Sequence, residues 1–195
     1  MDIFKKPFTL ILASASPRRK QLLEEMGFSP VLRPTHIDES YPDQLPLAEV
    51  APWLARKKAH AASRKGLKKN HIILAADSTV IAHGRIFEKP KDPQDAKAIL
   101  RKLSDNTHEV ITGVCLLSPT GEEVFSQRTE VRFAPLDEQE IEKYIATQAP
   151  FDKAGAYGIQ DWIGLCKVQE IRGSYTNVMG LPTALTYEML KKMLR

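Results

Sequence analysis

Short apolar runs alternate with amphipathic segments along the chain, and their periods predict an α/β fold. Phe8–Ala13 (FTLILA) is a continuous apolar run of strand length. Ser14-Ala15-Ser16-Pro17 breaks it. Ser16 suits a helix N-cap and Pro17 the first helical position, so a helix is predicted over Arg18–Met26, with Leu22, Leu23 and Met26 inward and Gly27 as its stop. Ser29–Arg33 reads as a second short strand, and the polar, proline-rich stretch Thr35–Pro46 as a loop. Leu47, Ala51, Leu54, Ala55, Ala59 and Ala62 recur at helical spacing up to about Lys65. Pro52 is tolerated only in a first turn, so this helix is predicted from Ala51 onward.

His71–Ala76 (HIILAA) has no polar alternation and predicts a strand covered on both faces, with Asp77 at its carboxyl end. Val80–Phe87 reads as a hairpin about His83-Gly84. Pro93–Leu103 is an amphipathic helix with Ala96, Ile99, Leu100 and Leu103 inward. His108–Leu117 and Glu122–Phe133 are long strands joined at Pro119-Thr120-Gly121. A helix over Asp137–Thr147, a glycine-containing loop over Asp152–Gln160, a strand over Trp162–Ile171, a turn over Asn177–Leu181 and a helix over Pro182–Leu194 complete the reading. Units of βα mixed with an antiparallel pair give a mixed sheet flanked by helices, in one domain over residues 1–195.

Composition narrows the class. The chain has 195 residues, 43% hydrophobic and 27% charged, enough to bury about two-thirds of its unfolded surface without staples. No apolar run approaches the roughly 18 residues that span a bilayer, and Phe8–Ala15 is too short and too close to Met1 for a secretory signal. Cys115 and Cys166 stand alone in apolar segments, as reduced, buried thiols of a cytoplasmic protein would. Residues 1–70 hold 13 basic and 7 acidic side chains, whereas residues 71–195 hold 15 and 17. The amino-terminal third therefore suits an anionic partner, a nucleotide or a nucleic acid.

Neither a GxxxxGK[ST] nor a GxGxxG motif is present. Six pieces could carry chemistry instead. Ser14 and Ser16 precede a helix amino terminus and Arg18, Arg19 and Lys20 follow it, which makes either an anion cradle or a plain cap with solvated cations. Lys58 falls on the apolar line Ala51, Leu54, Lys58, Ala62, where a cation needs an anion unless it snorkels to the surface. Arg56 and Lys57 fall off that line. Asp77 at a strand end suits a metal or a water, or is an ordinary turn aspartate. Lys89 is held extended by Pro90. Asp38-Glu39 could hold a hard cation or be solvated charge. Gly155 and Gly158 in KAGAYGIQ let backbone approach a ligand, or form a tight turn. The five histidines show no ligand spacing.

Seven segments in this order resemble the Maf family of nucleoside triphosphate pyrophosphatases: SASPRR at 14–19, Ile37-Asp38-Glu39, LARKKA at 54–59, Ala76-Asp77-Ser78, Glu88-Lys89-Pro90, KAGAYGIQ at 153–160 and GSYTNVMGLP at 173–182. The resemblance covers essentially the whole chain. It implies an elongated mixed sheet in two lobes around a nucleotide cleft, similar to the inosine triphosphate pyrophosphatases. The implied activity is metal-dependent hydrolysis between the α and β phosphates, yielding the monophosphate and pyrophosphate. By the same resemblance Ser14, Arg19, Lys58 and Lys89 hold and neutralise the phosphates. Glu39 and Asp77 organise Mg²⁺ or Mn²⁺ and the attacking water, with Asp77 as general base.

One subfamily resembles dTTP/UTP pyrophosphatases and carries Arg, Thr and Gln at three positions where a 7-methyl-GTP type carries Trp, Gln and Glu. This chain has Arg18, Ser78 and Gln160 there. It therefore resembles the pyrimidine type, with Ser78 keeping the hydroxyl and losing a methyl. The expected partner is a small-molecule nucleoside triphosphate. Neither nucleic acid nor membrane is expected, and a homodimer is left open. The competing readings are a nucleotide-sensing or division-regulating interaction protein, since the family is associated with arrest of septum formation, and a 7-methyl-GTP pyrophosphatase.

Overall fold

A computed structural model describes residues 7–194. In chain order the elements are β1 (Thr9–Leu12), α1 (Pro17–Glu25), β2 (Val31–Leu32), α2 (Leu47–Ser63), β3 (His71–Ala82), β4 (Arg85–Phe87), α3 (Pro93–Leu103), β5 (Thr107–Ser118), β6 (Gly121–Phe133), α4 (Glu138–Ala146), α5 (Trp162–Lys167), β7 (Val168–Arg172), α6 (Tyr175–Met179) and α7 (Thr183–Met193). Two 3-10 turns, Ala149–Asp152 and Ala154–Ala156, lie between α4 and α5. The described strands form one seven-stranded mixed sheet in the order β2-β1-β3-β5-β6-β7, with β4 also paired to β3. β1 runs parallel to β2 and β3, and β4 and β7 run antiparallel to their partners. No described helix is long and apolar enough to cross a membrane.

The chain divides into two compact units, and β3 passes from one to the other between Asp77 and Ser78. The described residues of the first are 7–77, Thr112–Gln127 and 180–194. Its core sets Ile11 and Ala13 of the β1 segment, Ile73 and Ala75 of β3 and Cys115 of β5 against Ala55, Ala59 and Ala62 of α2. Strand residues two apart share a face, and three alanines let the helix lie close. Gly113 lets it lie closer still: a methyl group there would stand 2.2 Å from the Pro52 backbone nitrogen. Pro52 offers no N–H, so this contact strands no donor.

The second unit takes Ser78–Ile111 and Arg128–Met179. Its core packs α3 (Ala96, Ile99, Leu100, Leu103) and α4 (Ile141, Tyr144, Ile145) with Val110, Val131, Phe133 and Tyr157. The β3–β4 turn, His83-Gly84, has both φ angles positive, at 49° and 68°, as a two-residue hairpin turn that keeps the strand twist requires.

Five expectations are corrected. α2 begins at Leu47, not Ala51, and carries Pro52 inside it, where its backbone lies against Gly113 of the sheet. β3 does not end before Asp77 but continues to Ala82, so Asp77 is a mid-strand residue. Trp162–Ile171 is not one strand: Leu165 N–H donates to the Asp161 carbonyl at 3.0 Å and opens helix α5, which leaves only Val168–Arg172 as strand. That helix turns Cys166 outward, so it is exposed rather than buried, while Cys115 is buried as expected. Asn177–Leu181 is not simply a turn, because the helix α6 runs through Met179.

Candidate active site

In the first unit, the alternation that buries Ile73 and Ala75 against α2 carries Asp77 to the same face. On α2, Lys58 lies three residues after Ala55 and four before Ala62, on the stripe facing that strand. The two meet: Lys58 Nζ donates to Asp77 Oδ1 at 2.5 Å. A second carboxylate, Glu39, reaches the same ammonium at 2.8 Å from the loop before α2. The side chains of Lys58 and Asp77 are each 12% exposed and that of Glu39 53%, so one buried cation is shared between an enclosed and an open acid.

Asp38 does not join them. Its carboxylate accepts from the Ser40 amide at 3.0 Å and from the Ser40 hydroxyl, and those bonds hold it below the usual carboxylate range. Lys57, half-buried, donates to the Ser40 carbonyl at 3.1 Å. Neighbouring lysines thus fix the acidic loop on α2.

The turn after β1 builds a second cluster in the same unit. Pro17 opens α1 and the Ser16 hydroxyl accepts from the Arg19 amide at 3.5 Å. Ser14 Oγ accepts from the Ser16 amide at 3.1 Å and from Arg19 Nη1 at 3.3 Å. Arg19 Nε donates to the Gly180 carbonyl at 2.8 Å. The α6–α7 link therefore aims this guanidinium, a contact that the sequence motif around Gly180 contains but does not reveal. Burial lowers the Arg19 pKa, against the pull of Asp77, with Arg18 lowering it further and Glu39 opposing; a guanidinium stays charged nonetheless. Arg18 beside it is half-buried.

In the second unit, Ser78 follows Asp77 on β3 and is half-buried. Lys89, just past β4, is exposed and has no ion partner among the described residues. Gln160 is half-buried, and its side chain makes no hydrogen bond with the described residues. The Gly155 amide donates to the Glu88 carbonyl at 3.2 Å, which ties the segment carrying Gln160 to the one carrying Lys89. The structure thus brings Glu39, Lys58 and Asp77 together, and Ser14 with Arg19.

Other reactive groups are packing groups. Burial pushes the Cys115 thiol far up, reinforced by Glu122, so it is no nucleophile. Arg56, off the inward line, pairs with Glu122 at 3.1 Å on the surface. Among the described residues no group of three or more His, Cys, Asp or Glu could hold a metal ion by itself. Glu39 and Asp77 are two carboxylates that meet at one point, on the Lys58 ammonium.

The model of the Maf-like protein family matches residues 9–193. A dTTP/UTP pyrophosphatase of Halalkalibacterium halodurans is 50% identical over 182 residues, 93% of this chain and 94% of that one. Proteins of the same name from Cytophaga hutchinsonii and Phocaeicola vulgatus are each 46% identical, over 94% and 95% of this chain and 84% and 96% of theirs. The solved Staphylococcus aureus Ham1 protein covers 65% of this chain and 72% of its own, with a TM-score of 0.46 at 15% identity, a likeness too loose to add to the sheet order above.

Proposed function

The chain belongs to the Maf family and is a nucleoside triphosphate pyrophosphatase, and on that premise we propose that it cleaves dTTP and UTP between the α and β phosphates. The observation that carries the reading is the convergence of Glu39 and Asp77 on the Lys58 ammonium, with Arg19 in the field of both acids. Hydrolysis at phosphorus is mostly positioning and charge stabilisation, and this cluster supplies both signs of charge.

In the proposed step Asp77 takes a proton from the attacking water as that oxygen bonds to the α phosphorus. The bond from the α phosphorus to the bridging oxygen breaks, and pyrophosphate leaves with the electron pair. Lys58, Arg19 and Lys89 offset charge on the phosphate oxygens, and the Ser14 hydroxyl donates to one of them. A divalent cation, Mg²⁺ or Mn²⁺, fits the two hard carboxylate donors Glu39 and Asp77, which already meet at one cation. A pair rather than a cage suits an ion shared with substrate phosphates. Such an ion supplies Lewis-acid charge and a template when bound.

Arg18, Ser78 and Gln160 are the proposed base-reading residues. The Gln160 amide offers a donor and an acceptor, as discrimination by hydrogen bonding requires. The reading is of a cytoplasmic enzyme acting on free nucleotide without nucleic acid, as a monomer or a homodimer.

A nucleotide panel (dTTP, UTP, CTP, GTP, ITP, 7-methyl-GTP) with Mg²⁺ or Mn²⁺ tests it. Monophosphate and pyrophosphate are expected from dTTP and UTP, and Asp77→Asn is expected to fold and to lose ~10²–10⁴-fold in turnover. Undiminished turnover in that variant overturns the role of Asp77. Preference for 7-methyl-GTP overturns the base assignment and leaves the chemistry standing.

A further inference from the structure

Asp161 occupies the N-cap position of α5 with extended backbone (φ −83°, ψ 175°), yet its carboxylate caps nothing. An aspartate there ordinarily accepts from the first helical amides. This one turns away. Its Oδ2 accepts from the Tyr144 hydroxyl at 2.9 Å and lies 3.3 Å from Lys153 Nζ. The same ammonium donates to the Ala149 carbonyl at 2.5 Å and to Asp152 Oδ1 at 2.8 Å, and the lysine side chain is only 10% exposed. The Tyr144 hydroxyl closes the ring by accepting from the Gly158 amide at 3.1 Å. Tyr144 is itself 2% exposed.

All these contacts grip one short stretch. A methyl group on Gly158 would stand 2.5 Å from Asp161 Oδ2 and 2.8 Å from Lys153 Cε, so glycine there is a condition of the grip. Just before it, Gly155 and Ala156 both have positive φ, 71° and 58°. The alanine holds a conformation that costs of order 1 kcal/mol or more unless its surroundings impose it. The Gly155 amide is tied to the Glu88 carbonyl at 3.2 Å and the Tyr157 hydroxyl to His108 Nε2 at 2.7 Å. The outcome is a braced turn with Gln160 at its end, whose amide makes no hydrogen bond with the described residues.

We propose that Tyr144, Asp161 and Lys153 are positioning residues for base discrimination, fixing the Gly158–Gln160 turn so that the Gln160 amide meets the pyrimidine edge in one orientation; this rests on the reading of Gln160 as a base-contacting residue. A recognition amide discriminates only as well as its backbone is held, because a loose turn lets it satisfy the wrong edge equally. Burial, with the adjacent Asp161, pushes the Tyr144 phenol well above its ordinary value, so the hydroxyl keeps the proton that it donates to Asp161.

The test is a double-mutant cycle read as the dTTP-over-CTP ratio of kcat/KM. Gln160→Ala is expected to lower the ratio about 30-fold. Tyr144→Phe removes one hydroxyl without changing the packed ring; it is expected to lower the ratio about tenfold through KM, with kcat within about twofold. In the Gln160→Ala background Tyr144→Phe is expected to lower it no further. Asp161→Asn, which keeps an acceptor for Tyr144 and drops the charge facing Lys153, serves if Tyr144→Phe fails to fold, with an expected fall of about threefold. An unchanged ratio in Tyr144→Phe, or an equal fall in both backgrounds, overturns the proposal and leaves Gln160 its role. An unchanged ratio in Gln160→Ala overturns the reading of Gln160 and the proposal with it.

Discussion

The Lys58 cluster and the Gly158–Gln160 turn solve opposite problems. In the first unit a lysine and an aspartate, each 12% exposed, sit where an isolated charge would be costly, and each offsets the other, with Glu39 as a third member. The groups come from a strand, a helix and a loop far apart in sequence, so their geometry depends on how closely α2 lies on the sheet. In the second unit Gln160, the residue proposed to meet the base, carries a neutral amide that needs no counter-charge, and what is held is its backbone. Charged groups are placed by pairing with each other; a neutral recognition group is placed by bracing the chain beneath it. Loss of one member should therefore cost the first region its chemistry and the second its selectivity.

The most severe way to break the charged region is to remove its shared cation. Lys58→Met leaves Asp77 enclosed without its partner and takes a charge from the proposed phosphate-binding group. A fall in kcat/KM of about 10³-fold is expected for both dTTP and UTP, with their ratio unchanged, and a stability loss of up to about 3 kcal/mol in urea denaturation. A changed dTTP-over-UTP ratio would show that the two regions do not divide chemistry and selectivity as drawn. The largest loss of stability, as distinct from chemistry, is expected of Gly113→Ala. Its methyl would meet backbone of Ala51 and Pro52 at 2.2–2.4 Å, and backbone cannot swing aside as a side chain can. A loss of about 4 kcal/mol, or failure to fold, is expected. A variant that folds with wild-type stability would mean that α2 can lift from the sheet without cost, and that Lys58 is not fixed by it.

Much of this was legible in the residues. α3 matches its expected span, Pro93–Leu103, because a proline at the first position, Asp92 as cap and four apolar residues at helical spacing all agree. The inward line on α2 left Lys58 either meeting an anion or snorkelling to the surface, and two carboxylates face it. α5 was not legible as a helix. WIGLCK is short, lacks a clear period and buries only Ile163, so it reads as easily as a strand. Asp77 resembled a strand end because polar residues usually end a strand, but Asp77, Ser78 and Thr79 all lie within β3 and two of them are buried. The Tyr144–Asp161–Lys153 brace was out of reach for a related reason. Its contacts join a helix and a loop across as many as 17 residues, and no local pattern encodes which oxygen a carboxylate will choose.

The smallest expected effect probes the neutral region through pH. His108 is 1% exposed, lies edge-on to Phe133 and Tyr157 at 5.0 and 5.2 Å, and touches no charged group in those contacts. Burial lowers its pKa to about 4. The unfolded chain takes up a proton at this histidine near 6.5, whereas the folded chain refuses it until about 4. Stability is therefore fully present above pH 6.5, falls as the pH drops through that interval, and levels off below about 4. At about 1.4 kcal/mol per pH unit the whole effect is at most about 3 kcal/mol. His108→Phe keeps the aromatic packing and removes the proton site, at the cost of about 1 kcal/mol at pH 7 for leaving the Tyr157 hydroxyl unpaired. Other groups titrate in the same interval, but they do so in both proteins, so the difference between the two urea midpoints isolates His108. That difference should shrink and reverse sign as the pH is lowered from 7 to about 4. Parallel curves would mean that the imidazole accepts its proton inside the fold, and that the turn above Tyr157 is braced on a charged group, as the Lys58 region is.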